Sequence, residues 1–266
     1  METTIDFLGY PLAASPFSII LNRDSKISIN TINQYSYCIG EQDLLFKEVL
    51  KGSDVLLPDG VGIVKACSFL TGKTISKVTG WDIHKHLLNI LNKEGGKCFY
   101  LGSSDKTLSK IKDRINKEYP AIESAYYSPP YKERFSEEDM DEMVFNINSF
   151  RPDVVFIGLT APKQEILSHL LKDKLETNII CSIGAAFDFY AETIPRPGQL
   201  WIDLNLEWLG RFFREPKRMW KRYFYFGFVF VYYMFLKKAA HYMPHFGDQI
   251  TYSPRSLAPE VEKVEI

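Results

Sequence analysis

Four arginines near the end of the chain, Arg211, Arg214, Arg218 and Arg222, are spaced three, four and four residues apart. At about 100° per residue that spacing lines them along one side of a helix, where they either face solvent or meet phosphate or anionic lipid. Pro216 qualifies the stripe, because a proline there can open a second helix instead of continuing the first. The stripe runs directly into "YFYFGFVFVYYMFL", Tyr223 to Leu236, an uncharged aromatic run flanked by Lys221-Arg222 and Lys237-Lys238. Fourteen residues are too few to cross a bilayer, which takes about 20, and tyrosines throughout suit a headgroup boundary. This segment is therefore read either as a helix that completes the core or as a monotopic appendage on an anionic membrane.

Acids and histidines offer less. The Asp-x-Asp string Asp139-Met140-Asp141 could hold a metal, but within "SEEDMDEM" it reads as an acidic helix start capped by Ser136. His84 and His86 are two apart, which on a helix sends them in different directions and argues against a metal pair. "YLGSSDKTL" offers a strand-to-helix turn at Gly102 whose helix amides favour an anion, and Gly102 is assigned to donor binding on that ground. The full dinucleotide fingerprint is absent from it. "LLPDG" closes an apolar run with Asp59, and on its own that is a turn.

Position changes the standing of Asp59. Short β-rich runs ("FSIIL" from Phe17, "KISIN", "SDVLLP", "KCFYLG", "DVVFIGL", "NIICSIG") alternate with segments of helical period ("EQDLLFKEVLKG", "WDIHKHLLNILNKEGG", "DKTLSKIKDRINKEYP", "KQEILSHLLKDK"). Near-continuous apolar strands between amphipathic helices predict an α/β fold: a Rossmann-like, mostly parallel sheet flanked by helices. Ligands bind beyond the carboxyl ends of such strands. "NTIN", "PDG", "GSSD" and "TAPKQE" each follow a strand, so they gather along one edge of the sheet. The expected organisation is a catalytic core over 1–195, an Arg- and aromatic-rich helical appendage over 196–246 that associates with membrane, and a polar, disordered tail over 247–266.

Composition narrows the class. With 266 residues, 45% hydrophobic and net charge -1, the chain has core material and no bulk attraction to nucleic acid. Cys38, Cys67, Cys98 and Cys181 are widely separated, form no CxxC pair and read as reduced core thiols. "METTIDFLGYPL" lacks a basic-then-apolar signal, so a cytoplasmic protein is expected.

The ordered set "LLPDGVGIV", "KVTGWDI", "CFYLGSS", "GLTAPKQE", "FDFYAETIPRP", "LNLEWLGRFFREPKR" and "WKRY", from about Ile27 to Tyr223, resembles the WecG/TagA/CpsF glycosyltransferases, glycosyltransferase family 26. The resemblance implies inverting, metal-independent transfer of a sugar from a UDP donor to a polyprenyl-diphosphate-linked sugar in surface-polysaccharide or teichoic-acid assembly. No cofactor beyond the donor is implied. It makes Asp59 the general base, and Thr31 and Asn33 the family's Thr-x-Asn. Pro162 to Glu165 become its Pro-Lys-Gln-Glu, with Lys163, Gln164 and Glu165 on the substrate. Lys77 stands where the family has arginine, offering a cation without the planar fork, and Arg196 to Gly198 read Arg-Pro-Gly where the family has Arg-Ala-Pro. Gly60 and Gly62 leave room for substrate near the base. In the family the appendage is thought to close over the site, its arginines meeting the diphosphate. Expected partners are the UDP-sugar, a lipid-linked acceptor and the inner leaflet, with a second copy of the chain allowed and nucleic acid not. An idle nucleotide-sugar- or lipid-binding module of a polysaccharide assembly complex is the alternative, against which Asp59 with Thr31 and Asn33 speaks.

Overall fold

A computed structural model describes residues 4–14, 17, 26–194, 198, 201, 209, 212 and 216–242. Strand β1 (Thr4–Phe7) turns through Leu8 and Gly9, both at positive φ, into antiparallel β2 (Tyr10–Ala13). Every other pairing is parallel. In chain order follow β3 (Ile27–Ile32), β4 (Val55–Pro58), β5 (Lys97–Gly102), β6 (Glu123–Tyr127), β7 (Val154–Gly158) and β8 (Ile179–Ser182). Across the sheet they lie β1-β2-β4-β3-β8-β7-β5-β6. The α/β sheet read from the sequence is thus observed, extended by the hairpin on one edge and β6 on the other. The run expected as a strand from Phe17 falls outside the described residues except for Phe17 itself.

Alternation along the strands fills two faces. On β5, Cys98 and Tyr100 join one apolar cluster while Phe99 and Leu101 join another. On β7, Val154 and Phe156 part from Val155 and Ile157 in the same way. The first face is covered by α4 (Gly80–Glu94), α5 (Asp105–Glu118) and α8 (Ala186–Tyr190). The second is covered by α6 (Glu137–Phe150) and α7 (Lys163–Leu171), then by α1 (Gln34–Gly40), α2 (Leu44–Lys51) and α3 (Val61–Thr71). Both faces are therefore dry, as parallel strands require.

The chain end adds α9 (Pro216–Trp220), a π-helical turn (Lys221–Tyr225) and α10 (Phe226–Tyr242). Pro216 opens α9, the position where its missing N–H costs nothing. Helix α10 lies against α1 and α3. Its Phe226, Phe230, Tyr233 and Met234 are buried in one cluster with Tyr37, Ile39, Ile63 and Cys67, and Phe230 meets Tyr37 edge-on at 5.4 Å. The opposite side carries Phe228 (74% exposed), Val231, Tyr232 and Phe235 (61%). The aromatic run thus packs on the core and presents a second apolar face outward. Among the described residues no helix is long and apolar enough to cross a membrane. The cysteines are all free and buried, as expected of core thiols.

Candidate functional site

A cleft of about 1380 Å³ runs along the carboxyl ends of the parallel strands. Each of β3 to β8 lends it a following loop: Asn33, Asp59, Ser103 and Ser104, the stretch from Ser128 to Glu133, Leu159 to Ala161, and Ile183 to Ala185. Six converging loops follow from the parallel order, which sends every strand out of the sheet on the same side.

Asp59 stands one residue past β4. Its backbone N–H donates to the Ile32 carbonyl at 2.9 Å, continuing the β3–β4 ladder and fixing where the side chain begins. The residue is half-buried and lines the cleft. Gly60, not Asp59, is the N-cap of α3, and no side chain caps that helix. The room expected beside the base divides between two glycines. Gly60, at φ +108°, borders the cleft. Gly62 does not, because the Gln34 side chain occupies its open face so closely that a Cβ there would overlap it.

Thr31, Asn33, Lys77, Lys163, Gln164, Glu165 and Arg222 also line the cleft. Asn33 has a structural duty as well: its Oδ1 accepts the Ser36 amide at 3.1 Å, capping α1. Gly102 does not reach the cleft wall. It sits at φ +117°, and a Cβ would come within 2.7 Å of the Gly158 carbonyl oxygen, so glycine is required there by close approach of two strand ends. Ser103 and Ser104 border the space instead. Arg196, Arg211 and Arg214 lie outside the described residues, and of Arg218 only the backbone, in α9, is described. Of the metal candidates, Asp139 and His84 are otherwise engaged. Asp139 caps α6 with Ser136 and takes both its carboxylate oxygens to the Lys132 ammonium at 2.8 Å. His84 is buried with Nε2 2.7 Å from the Tyr100 hydroxyl, and burial pushes its pKa down to about 3.

Electrostatics single out the start of α7. Gln164 (4% exposed) and Glu165 (1%) are buried in the cleft wall, and the Gln164 Nε2 donates to Glu165 Oε1 at 2.8 Å. Burial pushes the Glu165 carboxyl up to about 7, against the opposing pull of the Gln164 hydrogen bond and Arg222. The Arg222 guanidinium stacks over the Tyr35 ring at 4.7 Å, two residues past Asn33. Lys163 donates to the Lys132 carbonyl and lies 3.9 Å over the Phe135 ring, and burial lowers its pKa. Tyr35 and the loop after β6 escaped sequence reasoning as site residues, whereas the serines after β5 lie in the "GSSD" already placed at the edge of the sheet. The signal lay in position alone, since each follows a strand end, but β6 itself had not been recognised.

The family model for glycosyl transferases of the WecG/TagA/CpsF family matches residues 3–243. The chain belongs to that family. Similar curated members include the N-acetylglucosaminyldiphosphoundecaprenol N-acetyl-beta-D-mannosaminyltransferase of Bacillus subtilis strain 168, 31% identical over 201 residues, 75% of this chain and 76% of the relative. The enzyme of the same name from Bacillus spizizenii is 30% identical over 182 residues, 68% of each chain. That from Staphylococcus aureus strain MW2 is 24% identical over 176 residues, 65% of this chain and 66% of the relative. Membership in the WecG/TagA/CpsF family agrees with a broad cleft whose wall mixes one strand-end carboxylate with lysine and arginine.

Proposed function

We propose that the chain is an inverting, metal-independent glycosyltransferase that moves a sugar from a UDP-sugar to a polyprenyl-diphosphate-linked sugar, docked on the inner face of the cytoplasmic membrane. The observation that carries this reading is Asp59, half-buried at the end of β4 on the wall of a cleft that Lys77 and Arg222 also line. The relatives' names supply the chemistry of the acceptor, a sugar on undecaprenyl diphosphate, and of the transferred N-acetylmannosamine. The cleft's volume, about 1380 Å³, exceeds what one drug-sized ligand fills and leaves room for two substrates.

In the proposed step an acceptor hydroxyl gives its proton to the Asp59 carboxylate. The hydroxyl oxygen attacks the anomeric carbon from the face opposite the nucleotide. The bond from that carbon to the β-phosphate oxygen breaks, and UDP leaves with the electron pair. One carboxylate within hydrogen-bond reach is enough for the proton. The leaving diphosphate then needs cations, which Lys77 and Arg222 provide. The engagement of Asp139 with Ser136 and Lys132 supports a reaction that does not draw on an Asp-x-Asp metal site.

The test is turnover of a panel of UDP-sugars with a polyprenyl-diphosphate-sugar acceptor. Wild type is expected to turn over at least one donor, unaffected by chelator. Asp59→Asn is expected to retain UDP binding and lose about 10²- to 10⁴-fold in kcat. A variant as active as wild type would remove the base. Loss on chelation that magnesium or manganese restores would remove the metal-free mechanism.

A further inference from the structure

Five side-chain oxygens where α7 meets the sheet have no hydrogen-bond partner among the described residues: Gln164 Oε1, Glu165 Oε2, Ser168 Oγ, Ser182 Oγ and Asn30 Oδ1. Each belongs to a residue that is at most 4% exposed. A buried polar group left unmet is costly and rare, so five along one seam need a cause. The amide donors of the set are already spent: Asn30 Nδ2 donates to Ser53 Oγ at 2.9 Å, and Gln164 Nε2 to Glu165 Oε1 at 2.8 Å. Nor does the Ser168 hydroxyl bond back to the carbonyl one turn earlier, as a helical serine often does.

The fold brings these atoms to one place. Gln164 lies against Gly184, whose Cβ, were there one, would stand 3.3 Å from Oε1. From there α7 runs back down the sheet, as the crossover helix between parallel β7 and β8 must. The turn from Gln164 to Ser168 covers about 6 Å, and the two strand residues from Gly184 back to Ser182 about 6.6 Å. Ser168 is thereby set opposite Ser182. The parallel register of β3 on β8, Ser28 beside Ile180 and Ile29 beside Cys181, continues to Asn30 beside Ser182. Asn30 and Ser182 share the α7 face, since Ile29 and Cys181 point into the cluster on the other. Glu165 is one turn above Ser168 on the same side of the helix. Larger side chains stand around them: Ile166, Leu167 and Leu171 on α7, Ile32 and Ile180 on the strands. Two serines facing each other among such neighbours leave a gap, and the gap is lined with oxygen.

We propose that Asn30, Ser168 and Ser182 form an internal water site between α7 and the sheet, whose water hydrates the Glu165 carboxyl from behind the cleft wall. A buried water makes about three hydrogen bonds and occupies polar gaps, while apolar gaps stay dry. It donates to the Asn30 oxygen and takes either role with the two hydroxyls. Toward Glu165 it accepts from the protonated carboxyl and donates to the ionised one, so the group can titrate within the wall. Burial lifts that carboxyl, and Arg222, on the π-helical turn, pulls the other way. The β3, β7 and β8 strands bring no charge to it. Helix α2, also against α7, carries Lys47, Glu48 and Lys51, none of which acts on Glu165. The site is independent of which substrates fill the cleft.

A high-resolution crystal structure of the full chain reads the site directly. Expected is a density peak about 2.7–3.2 Å from oxygens of Ser168, Ser182 and Asn30. An empty gap, serines bonded straight to each other, or contacts of about 2.4 Å, the mark of a cation, would overturn it. In solution, Ser168→Ala, Ser182→Ala and the double variant change no residue lining the cleft. Thermal melts close the double-mutant cycle, in which each position's own propensity cancels. A shared water predicts that the double variant loses less than the sum of the single losses; additive losses would overturn the sharing. The 13C resonance of the Glu165 carboxyl is then titrated in wild type and in the double variant, or in either single one should the double fail to fold. Its midpoint is expected to climb by about half a pH unit or more, because the ionised form loses a donor. An unmoved midpoint would overturn the hydration of Glu165.

Discussion

At the scale of single residues, the cleft asks opposite things of its two notable carboxyl groups. Asp59 is half-buried at a strand end, while Glu165 is sealed into the wall and its carboxyl lifted to about 7. The lift has a consequence for stability. A carboxyl raised in the folded state keeps its proton after the unfolded chain, with the ordinary value of 4.5, has released it. Stability from this group is therefore whole below about pH 4.5 and falls as pH rises to about 7, by about 3 kcal/mol in all. Glu165→Gln removes the titration, so the unfolding free energy of wild type minus that of the variant should fall across that window and level off above it. Denaturant melts at half-unit pH steps measure it, and a difference independent of pH would contradict the burial seen here. His84 titrates in the opposite sense, its folded value near 3 against an ordinary 6.5, but it is common to both proteins and cancels.

At the scale of elements, the strands that were legible in the sequence are those buried on both faces. "KCFYLG" matches β5 residue for residue, because a strand covered from both sides must be apolar throughout. The missed strands lie at the edges. The β6 sequence "ESAYY" is only half-buried, and the β1–β2 turn uses Leu8 at positive φ, where no turn signal points to leucine. Helix α3 went unrecognised for a related reason: its N-cap is Gly60, with no capping side chain to announce it. Asp59, Thr31, Asn33 and Lys163 to Glu165 line one cleft because they lie at or just past the ends of β4, β3 and β7, strands recognisable in the sequence. Gly102 was legible as a special residue, but what requires glycine there is a neighbouring strand 56 residues on in the chain (Gly158), which no local pattern reveals.

The C-terminal helix allows a sharper test of an element's role. Phe230, 3% exposed and edge-on to Tyr37, holds α10 to α1, whereas Phe228 on the other side is 74% exposed. Phe230→Ala is expected to cost about 3–5 kcal/mol, and Phe228→Ala no more than about 0.5 kcal/mol. If α10 also positions Arg222, transfer should slow in the first variant under conditions where it remains folded, and not in the second in detergent. Urea melts and initial rates, taken together, check both claims.

At the scale of the whole molecule, α10 carries apolar groups on two sides, and among the described residues one side is packed into the core while the other is largely exposed. Phe228, Val231 and Tyr232 face outward, with Lys221 and Lys237 exposed at either end of the run. An apolar strip between cations fits an anionic bilayer surface. The chain should therefore sediment with vesicles that contain anionic phospholipid, more weakly as salt is raised. Replacing Phe228, Val231 and Tyr232 by serine should lower that partition by about tenfold or more without shifting the thermal melt, by the area those side chains would bury. Equal sedimentation of the triple variant would locate membrane contact elsewhere.

The ammonium of Lys163, held by the Lys132 carbonyl and the Phe135 ring, fastens the loop after β6 to the start of α7. That fastening braces one flank of the cleft as a buckle holds a strap. Under the proposed function, the lipid of the acceptor would then leave over the other flank, beside α10 and its exposed Phe228. The direction from which the acceptor arrives would then be written into a lysine of the cleft wall itself.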